Sequence, residues 1–475
     1  MNERHVRVAV LLLLATAPSA CITVGPDYDS VEPIVPDSWS ATDAPAEEAL
    51  FLAAPDQWWQ EFDDPLLVSL VDRAAAGSLD VRAAGARIAQ ARASLGINQA
   101  DLWPTVDASA SATRSVSSPE VSSGQEVDFL RASLDAGWEL DLFGGTRRSI
   151  EAAVADYEGR IADRDAVMVS ISAEVAQRYI DVRELQDRIR IASDNLLAQQ
   201  ETYELVQFRA EAGLSTGLDV QLARSNLEST RARIPELENL LARTRHSLAL
   251  LLGLAPGALD AELASTTPIP TPVADLAVGV PAEALRSRPD IRSAERAVAT
   301  QSALVGVSTA QLYPRFRLSG SIGLEALSLD GLFGGDATAW SAGPSIGIPI
   351  FNRGRLRRGV DLQYVVLDQA EIEYERTVLN ALAEVEDALV AVRTSRERRD
   401  AYGDAAAAAG QAVSLSLELY STGVRDFQSV LEAQRSLYSF QDLEAQSEAD
   451  ATTSLVRLYK ALGGGWQPDG TSGAT

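Results

Sequence analysis

Of the 475 residues, one is cysteine and two are histidine, so the side chains that most often carry metal, redox or acid–base chemistry are nearly absent. His5 sits in a leader-like segment, and His246 stands alone in a helical stretch, where a structural role is the simpler reading. No His-Glu-x-x-His zinc helix, cysteine cluster or phosphate loop ending in Gly-Lys-Ser/Thr occurs. The acidic residues are spread along helical runs as on solvated faces. The chain therefore reads as a non-enzyme without cofactor or metal. The one residue placed for covalent chemistry is Cys21. Arg4 and Arg7 give a basic start, Val8 to Ala15 a short apolar core, and Pro18-Ser19-Ala20 a run of small residues directly before it. That order predicts cleavage of a signal at 1–20 and attachment of lipid to the Cys21 thiol. Pro18 stands where lipoprotein leaders usually carry leucine, so an incidental cysteine beside an ordinary cleavage site is the alternative. Ile22, in place of the aspartate that retains lipoproteins in the inner membrane, favours delivery to the outer membrane.

Charge narrows the partners. Acidic residues outnumber basic ones by 67 to 41, a formal net charge of −26, and Lys460 is the only lysine. Nucleic-acid binding needs a basic footprint and is excluded on that balance. After residue 20 no stretch approaches the roughly 20 apolar residues of a membrane helix. Any crossing of a bilayer must then use β-strands or a lipid anchor.

Strand patterning is the sharpest signal. In 129–143 the even positions Leu130, Ala132, Leu134, Ala136, Trp138, Leu140 and Leu142 are apolar or small. The odd positions Arg131, Ser133, Asp135, Gly137, Glu139 and Asp141 carry all the charge. Residues 315–325 and 338–350 repeat the alternation, and 105–113 do so more weakly. Two readings fit: a soluble antiparallel sheet with one face on a core, or a transmembrane barrel with its apolar face to lipid. Strand length and the leader favour the barrel. Four strands are too few to close one, since about eight are needed. A barrel reading thus requires several chains.

These strands belong to a duplicated module, in which 80–253 recurs at 290–463. Each half opens with a helix, at 65–101 and 288–312. Each then continues past its strands into a proline-free run, 146–212 or 356–421. Val378, Leu382, Val385, Leu389 and Val392 show the heptad spacing of a coiled-coil seam, and Val175, Tyr179 and Val182 echo it. Continuous helices of that length reach ~100 Å at 1.5 Å per residue. Gly213 and Gly423 mark turns, after which a second helix returns at 218–252 and 427–462. The division is a signal at 1–20, an anchored arm at 21–64, a first repeat at 65–254, a connector at 255–287, a second repeat at 288–463 and a flexible tail at 464–475. A short helix is expected at 282–287.

Local motifs join this architecture to a known family. They are Cys21 with Gly25-Pro26-Asp27-Tyr28, and Trp58-Trp59-x-x-Phe62-x-Asp64-Pro65-x-Leu67. Others are Gln90-Ala91-Arg92-Ala93, Trp138-Glu139-Leu140-Asp141-Leu142-Phe143-Gly144, Pro349-Ile350-Phe351-Asn352-x-Gly354 and Ala433-Gln434-Arg435-Ser436-Leu437. From Cys21 to about Gly464 the chain resembles the TolC-like outer-membrane efflux channels, and most closely the lipoprotein branch serving resistance–nodulation–division (RND) pumps. The resemblance implies an α+β membrane protein. Three chains would form a twelve-stranded β-barrel in the outer membrane, continuous with a periplasmic α-helical tunnel. It also implies a homotrimer working with a periplasmic adaptor and an inner-membrane RND transporter to conduct drugs or other small molecules outward.

The resemblance places a gate at the tip of the second hairpin, where the family carries an aromatic residue, a basic residue and rings of carboxylates. The matching positions are Tyr420, Arg425, Gln428, Ser429 and Glu432. Ser429 departs from the usual carboxylate, which leaves the inner ring to Glu432, with Asp426 nearby as a candidate. Ordinary solvated tip residues are the plainer account of any one of them. A protein-export conduit and a pore-less periplasmic lipoprotein scaffold remain as alternatives; a scaffold has no need of polar strand faces.

Overall fold

The computed structural model describes residues 23–30, 35–36, 39–40, 57–118, 120, 124–271, 285 and 288–466. Cys21 lies outside them, as does the helix expected at 282–287 apart from Leu285, and most of the arm and tail. The elements are α1 (Pro65–Gly77), α2 (Leu79–Ala100), β1 (Thr105–Val116), β2 (Glu126–Leu140), α3 (Gly145–Glu211) and α4 (Gly217–Leu251). The second half adds α5 (Pro289–Ala310), β3 (Arg315–Ala326), the short α6 (Leu329–Leu332), β4 (Thr338–Gly347), α7 (Arg355–Ser421) and α8 (Phe427–Ala461). The long helices α3 and α7 have 67 residues each, and the returning α4 and α8 have 35 each, so the duplication holds in structure.

Two details differ from the sequence reading. The helix expected at 65–101 is two helices, broken at Ser78. There the Leu252–Gly253 turn comes so near that a Cβ on Gly77 would lie 2.7 Å from the Leu252 carbonyl oxygen. Leu142, Ile348 and Ile350, counted with the alternating strands, lie beyond the ends of β2 and β4.

The chain divides into two compact units, each drawing on both repeats. One holds Arg87–Ile161, Ser293–Glu375 and the arm up to Glu32. Its sheet is antiparallel in the order β1-β2-β3-β4. The even-numbered apolar face is left uncovered by the chain: Leu134 is 52%, Ile322 57% and Trp340 76% exposed. A soluble sheet would bury that face on a core, so these exposures decide against the soluble alternative. On the odd face, Arg131 donates to the Ser321 hydroxyl at 3.0 Å and pairs with Glu325 at 3.5 Å. Asp135 accepts from Ser109 and Ser133 at 2.9 and 3.0 Å, so the polar face is cross-linked through three strands. The apolar stripe stops where Arg114 pairs with Asp128 at 2.6 Å, just past Ala112 and Leu130. From Leu130 to Leu140 the strand rises ~34 Å, which at a tilt of about 40° spans the ~25 Å apolar band of outer-membrane barrels.

The arm is fastened within this unit. Buried Arg148 donates to the Val24 carbonyl at 3.2 Å, the Gly25 carbonyl at 3.4 Å and the Asp27 carboxylate at 2.6 Å. Gly25 has φ +92°, and a Cβ there would lie 2.4 Å from Gly306 Cα. The Tyr28 hydroxyl donates to Glu295 at 3.0 Å.

The other unit holds Pro33–Ala86, Ala162–Arg292 and Arg376–Thr475. Its core gathers Trp58, Phe62 and Tyr459 around Val175, Tyr179 and Val182. Trp58 stacks on Tyr459 with ring centroids 5.2 Å apart. The second seam is covered by Trp39, which packs with Val385, Leu458 and Leu462. Asp64 caps α1 by accepting from the Leu66 and Leu67 amides, and it also accepts from the Tyr179 hydroxyl at 2.5 Å. The two hairpins are joined by Arg188, which binds Asp442 at 2.7 Å and Glu184 at 3.1 Å. Burial raises the Glu184 carboxyl to about 7, against the opposing pull of Arg188.

Two outcomes follow from these contacts. Gly25→Ala forces both an unfavourable φ and a backbone clash, at about 1–3 kcal/mol. Limited proteolysis should then cut ahead of Tyr28 sooner than in the parent; equal rates contradict the clamp. A carboxyl whose folded pKa is raised contributes stability fully present below its unfolded value near 4.5 and lost as pH rises through about 7. The parent's thermal transition should therefore fall relative to that of Glu184→Gln between about pH 5 and about pH 8. Parallel pH profiles contradict it.

Candidate functional site

The two hairpin tips are built alike up to the point where they diverge. Gly213 (φ +74°) and Gly423 (φ +77°) occupy the left-handed position that ends each long helix. Gly213 N–H donates to the Ala210 carbonyl and Leu214 N–H to the Arg209 carbonyl, at 3.0 and 2.8 Å. Gly423 N–H donates to Tyr420 and Val424 N–H to Leu419, at 3.0 and 2.9 Å. Any side chain at either glycine would be strained by that φ, which is why both turns read so clearly from sequence.

The returning helices start with the same cap chemistry in exchanged roles. At α4, Thr216 is the N-cap and Asp219 sits three residues on. The Thr216 hydroxyl accepts from Asp219 N–H at 3.2 Å, and the Asp219 carboxylate accepts from Thr216 N–H at 3.0 Å. Burial pushes the Asp219 carboxyl up, but hydrogen bonds from Thr216 and Ser215 outweigh it and hold the group below the usual carboxylate range. At α8 the carboxylate is the cap: Asp426 accepts from Ser429 N–H at 3.2 Å, and the Ser429 hydroxyl donates to the Asp426 carbonyl at 2.7 Å. Ser429, the departure noted in sequence, thus occupies the position of Asp219, and the carboxylate has moved to the cap.

Tyr420 is buried at its own tip. It packs with Val206, Ala223, Phe427, Val430 and Leu431. Its ring centroid lies 5.5 Å from that of Phe427. The first hairpin holds it from the other side. The Arg209 guanidinium lies 4.8 Å from the Tyr420 ring centroid, Arg209 Nη1 donates to the Ser421 carbonyl at 3.0 Å, and the Tyr420 hydroxyl donates to Ser215 at 3.3 Å. Arg209 and Ser215 thereby join the site, and neither is among the candidates read from the sequence. Only the aromatic at 420 and the basic residue at 209 signalled the pairing, and they lie more than 200 residues apart in sequence.

The remaining candidates face outward. Arg425, Gln428 and Glu432 are exposed. Gln428 Nε2 donates to the Glu432 carboxylate at 3.0 Å. Among the described residues Arg425 makes no side-chain ion pair. Apolar side chains also project from the tips: Phe208 is 71%, Leu214 67%, Leu218 67% and Val424 69% exposed. The arrangement therefore offers charged, hydratable groups and an apolar rim around an intrachain lock between the hairpins.

Known proteins share this layout. The profile of the outer membrane efflux protein family matches residues 70–254 and 280–464, one match per repeat. Nodulation protein T of Rhizobium leguminosarum bv. viciae is 34% identical over 466 residues, covering 98% of this chain and 94% of its own. The toluene efflux pump outer membrane protein TtgC of Pseudomonas putida is 31% identical, with 96% of each chain covered. The solved outer-membrane channel OprN is similar with a TM-score of 0.85 at 37% identity, covering 94% of this chain and 100% of its own. The chain belongs to the outer membrane efflux protein family, as an outer-membrane channel subunit that extends into the periplasm.

Proposed function

We propose that three copies assemble into one passive conduit, with the four-stranded sheets completing a twelve-stranded barrel and the hairpins lining a periplasmic tunnel. The observation that carries the reading is a sheet with a polar, cross-linked odd face and an uncovered apolar even face about one bilayer high. Its partners are a periplasmic adaptor and an inner-membrane RND transporter that supplies the energy. The exposed Phe208, Leu214, Leu218 and Val424 suit an adaptor docking at the tips. Its cargo is drugs or other small molecules, in keeping with the toluene efflux named for one relative. The reading assigns the chain no catalysis.

Lipid attachment at Cys21 belongs to the same reading. Thr23 lies against Gly144, its Cα 2.9 Å from where a Cβ on that glycine would sit. Thr23 thereby fixes the start of the described arm at the junction after β2. That is the level at which an acyl chain enters the inner leaflet of the outer membrane.

The gate lies at the tips. In the resting state Arg209 and Ser215 hold Tyr420 and so hold the second hairpin to the first. Opening separates them. On the axis of a trimer, Arg425, Glu432 and Asp426 of each copy set the charge of the narrowest opening. Three like carboxylates converging there repel unless hydrated or bound by cations.

Planar-bilayer recordings of the purified protein test both parts. Arg209→Gln removes a cation–π contact and a hydrogen bond worth about 1–2 kcal/mol together. It should raise the resting conductance; a resting conductance equal to the parent's rules out the lock. Glu432→Gln should lower the preference for cations over anions, and an unchanged reversal potential removes Glu432 from the gate.

A further inference from the structure

The hydrogen-bond parity of the sheet exposes a defect at its outer edge. Glu325 N–H donates to the Ala337 carbonyl at 2.8 Å, one step beyond the Leu324↔Thr338 pair. Narrow and wide pairs alternate along an antiparallel ladder. The odd-numbered residues of β3 and β4 therefore bond to each other, the even residues of β3 bond to β2, and the odd residues of β2 bond to β1. The even-numbered residues of β1 and β4 are left aiming their N–H and C=O groups away from the sheet. Pro344 is one of these even positions on β4, and proline has no N–H to offer.

The duplication says what lies opposite. Ten of the twelve pairs of the β1–β2 hairpin recur 210 positions later in β3–β4: Thr105↔Gly137 becomes Arg315↔Gly347, and Ala108↔Leu134 becomes Leu318↔Pro344. The two hairpins are thus one structural unit repeated in register, joined by the β2–β3 ladder. The same shift carries the Leu134↔Ile322 pair of that ladder onto Pro344 and Ala112 of a second copy. It places Ser345 opposite Ser111, as Asp135 stands opposite Ser321. Parity agrees, because Pro344 and Ala112 both belong to the outward-bonding set and to the apolar face.

On the assembly reading above, we infer that β4 of one copy pairs with β1 of the next in this register, and that Pro344 leaves the Ala112 carbonyl without its donor. The seam between copies thus lacks one rung that the seam within each copy has. In lipid such an unpaired carbonyl is costly, so the junction between copies is the weaker ladder. In the chain before assembly the same proline interrupts an open edge and discourages indiscriminate strand pairing.

Cysteine pairs in the full-length protein in outer membranes read the register directly. Ser345 and Ser111 of neighbouring copies form a wide pair with Cα atoms about 4.5 Å apart, inside disulfide reach. Ser345→Cys with Ser111→Cys should give oxidant-dependent cross-linked multimers. The single variants, and Ser345→Cys combined with Ser109→Cys or Thr113→Cys, should give little. Stronger linking in a shifted combination, or none in any combination from a particle of trimeric native size, overturns the register while leaving the assembly standing. No linking together with a monomeric native size overturns the assembly reading itself. Pro344→Ala restores the missing donor and should shift the temperature at which the assembled particle dissociates in detergent upward. Its new amide should also be protected from hydrogen exchange. A free, fast-exchanging amide at 344 with no upward shift overturns the gap.

Discussion

A backbone inside a bilayer has no water to bond, so every N–H and C=O there must find a protein partner. That constraint governs this molecule. Four strands satisfy one another internally, yet β1 and β4 each present an outward row of polar groups. The side chains do not conceal those edges. They make one face suited to lipid and the other to water, a division that makes sense only around a lumen. Polar groups on the odd face meet their needs among themselves through Arg131, Asp135, Glu325 and the serines between them. Closure is thus the remaining demand, and on the proposed assembly it falls on other copies of the chain.

The helical part answers a different demand. Helices of 67 residues satisfy their own backbones but have long apolar seams to cover. The two seams are covered by different means. Trp58, Phe62 and Tyr459 fill the space around Val175 and Tyr179, and Trp39 from the arm covers Val385. Trp39, Trp58 and Phe62 from outside the duplication, with Tyr459 from within it, thus complete what the duplicated helices leave open. The same asymmetry recurs at the tips, where identical glycine turns lead into caps with exchanged roles and one hairpin grips the other through Arg209 and Tyr420. Duplication supplies a symmetric frame, and function enters where the copies differ.

Much of this was legible in the residues themselves. Alternation has a period of two and survives in a linear string, so all four strands could be read, although β1 was faint because its apolar face is mostly alanine. Missing prolines and two glycines located the hairpins and their turns. What sequence could not supply was anything that depends on approach across distance in the chain. The break at Ser78 comes from the Leu252–Gly253 turn, and the conformation of Gly25 answers to Gly306. Arg209 and Ser215, which hold Tyr420, lie on the other hairpin. Ser429 looked like a lost charge, because a capping exchange between Thr216-x-x-Asp219 and Asp426-x-x-Ser429 becomes meaningful only once both helix starts are seen.

On the proposed assembly, one chain is a third of a pore. Native mass spectrometry of the protein extracted from outer membranes in mild detergent tests it most directly. A particle containing three chains, with no smaller folded species, is the expected result. A stable particle of one chain, with its sheet edges open, would contradict it.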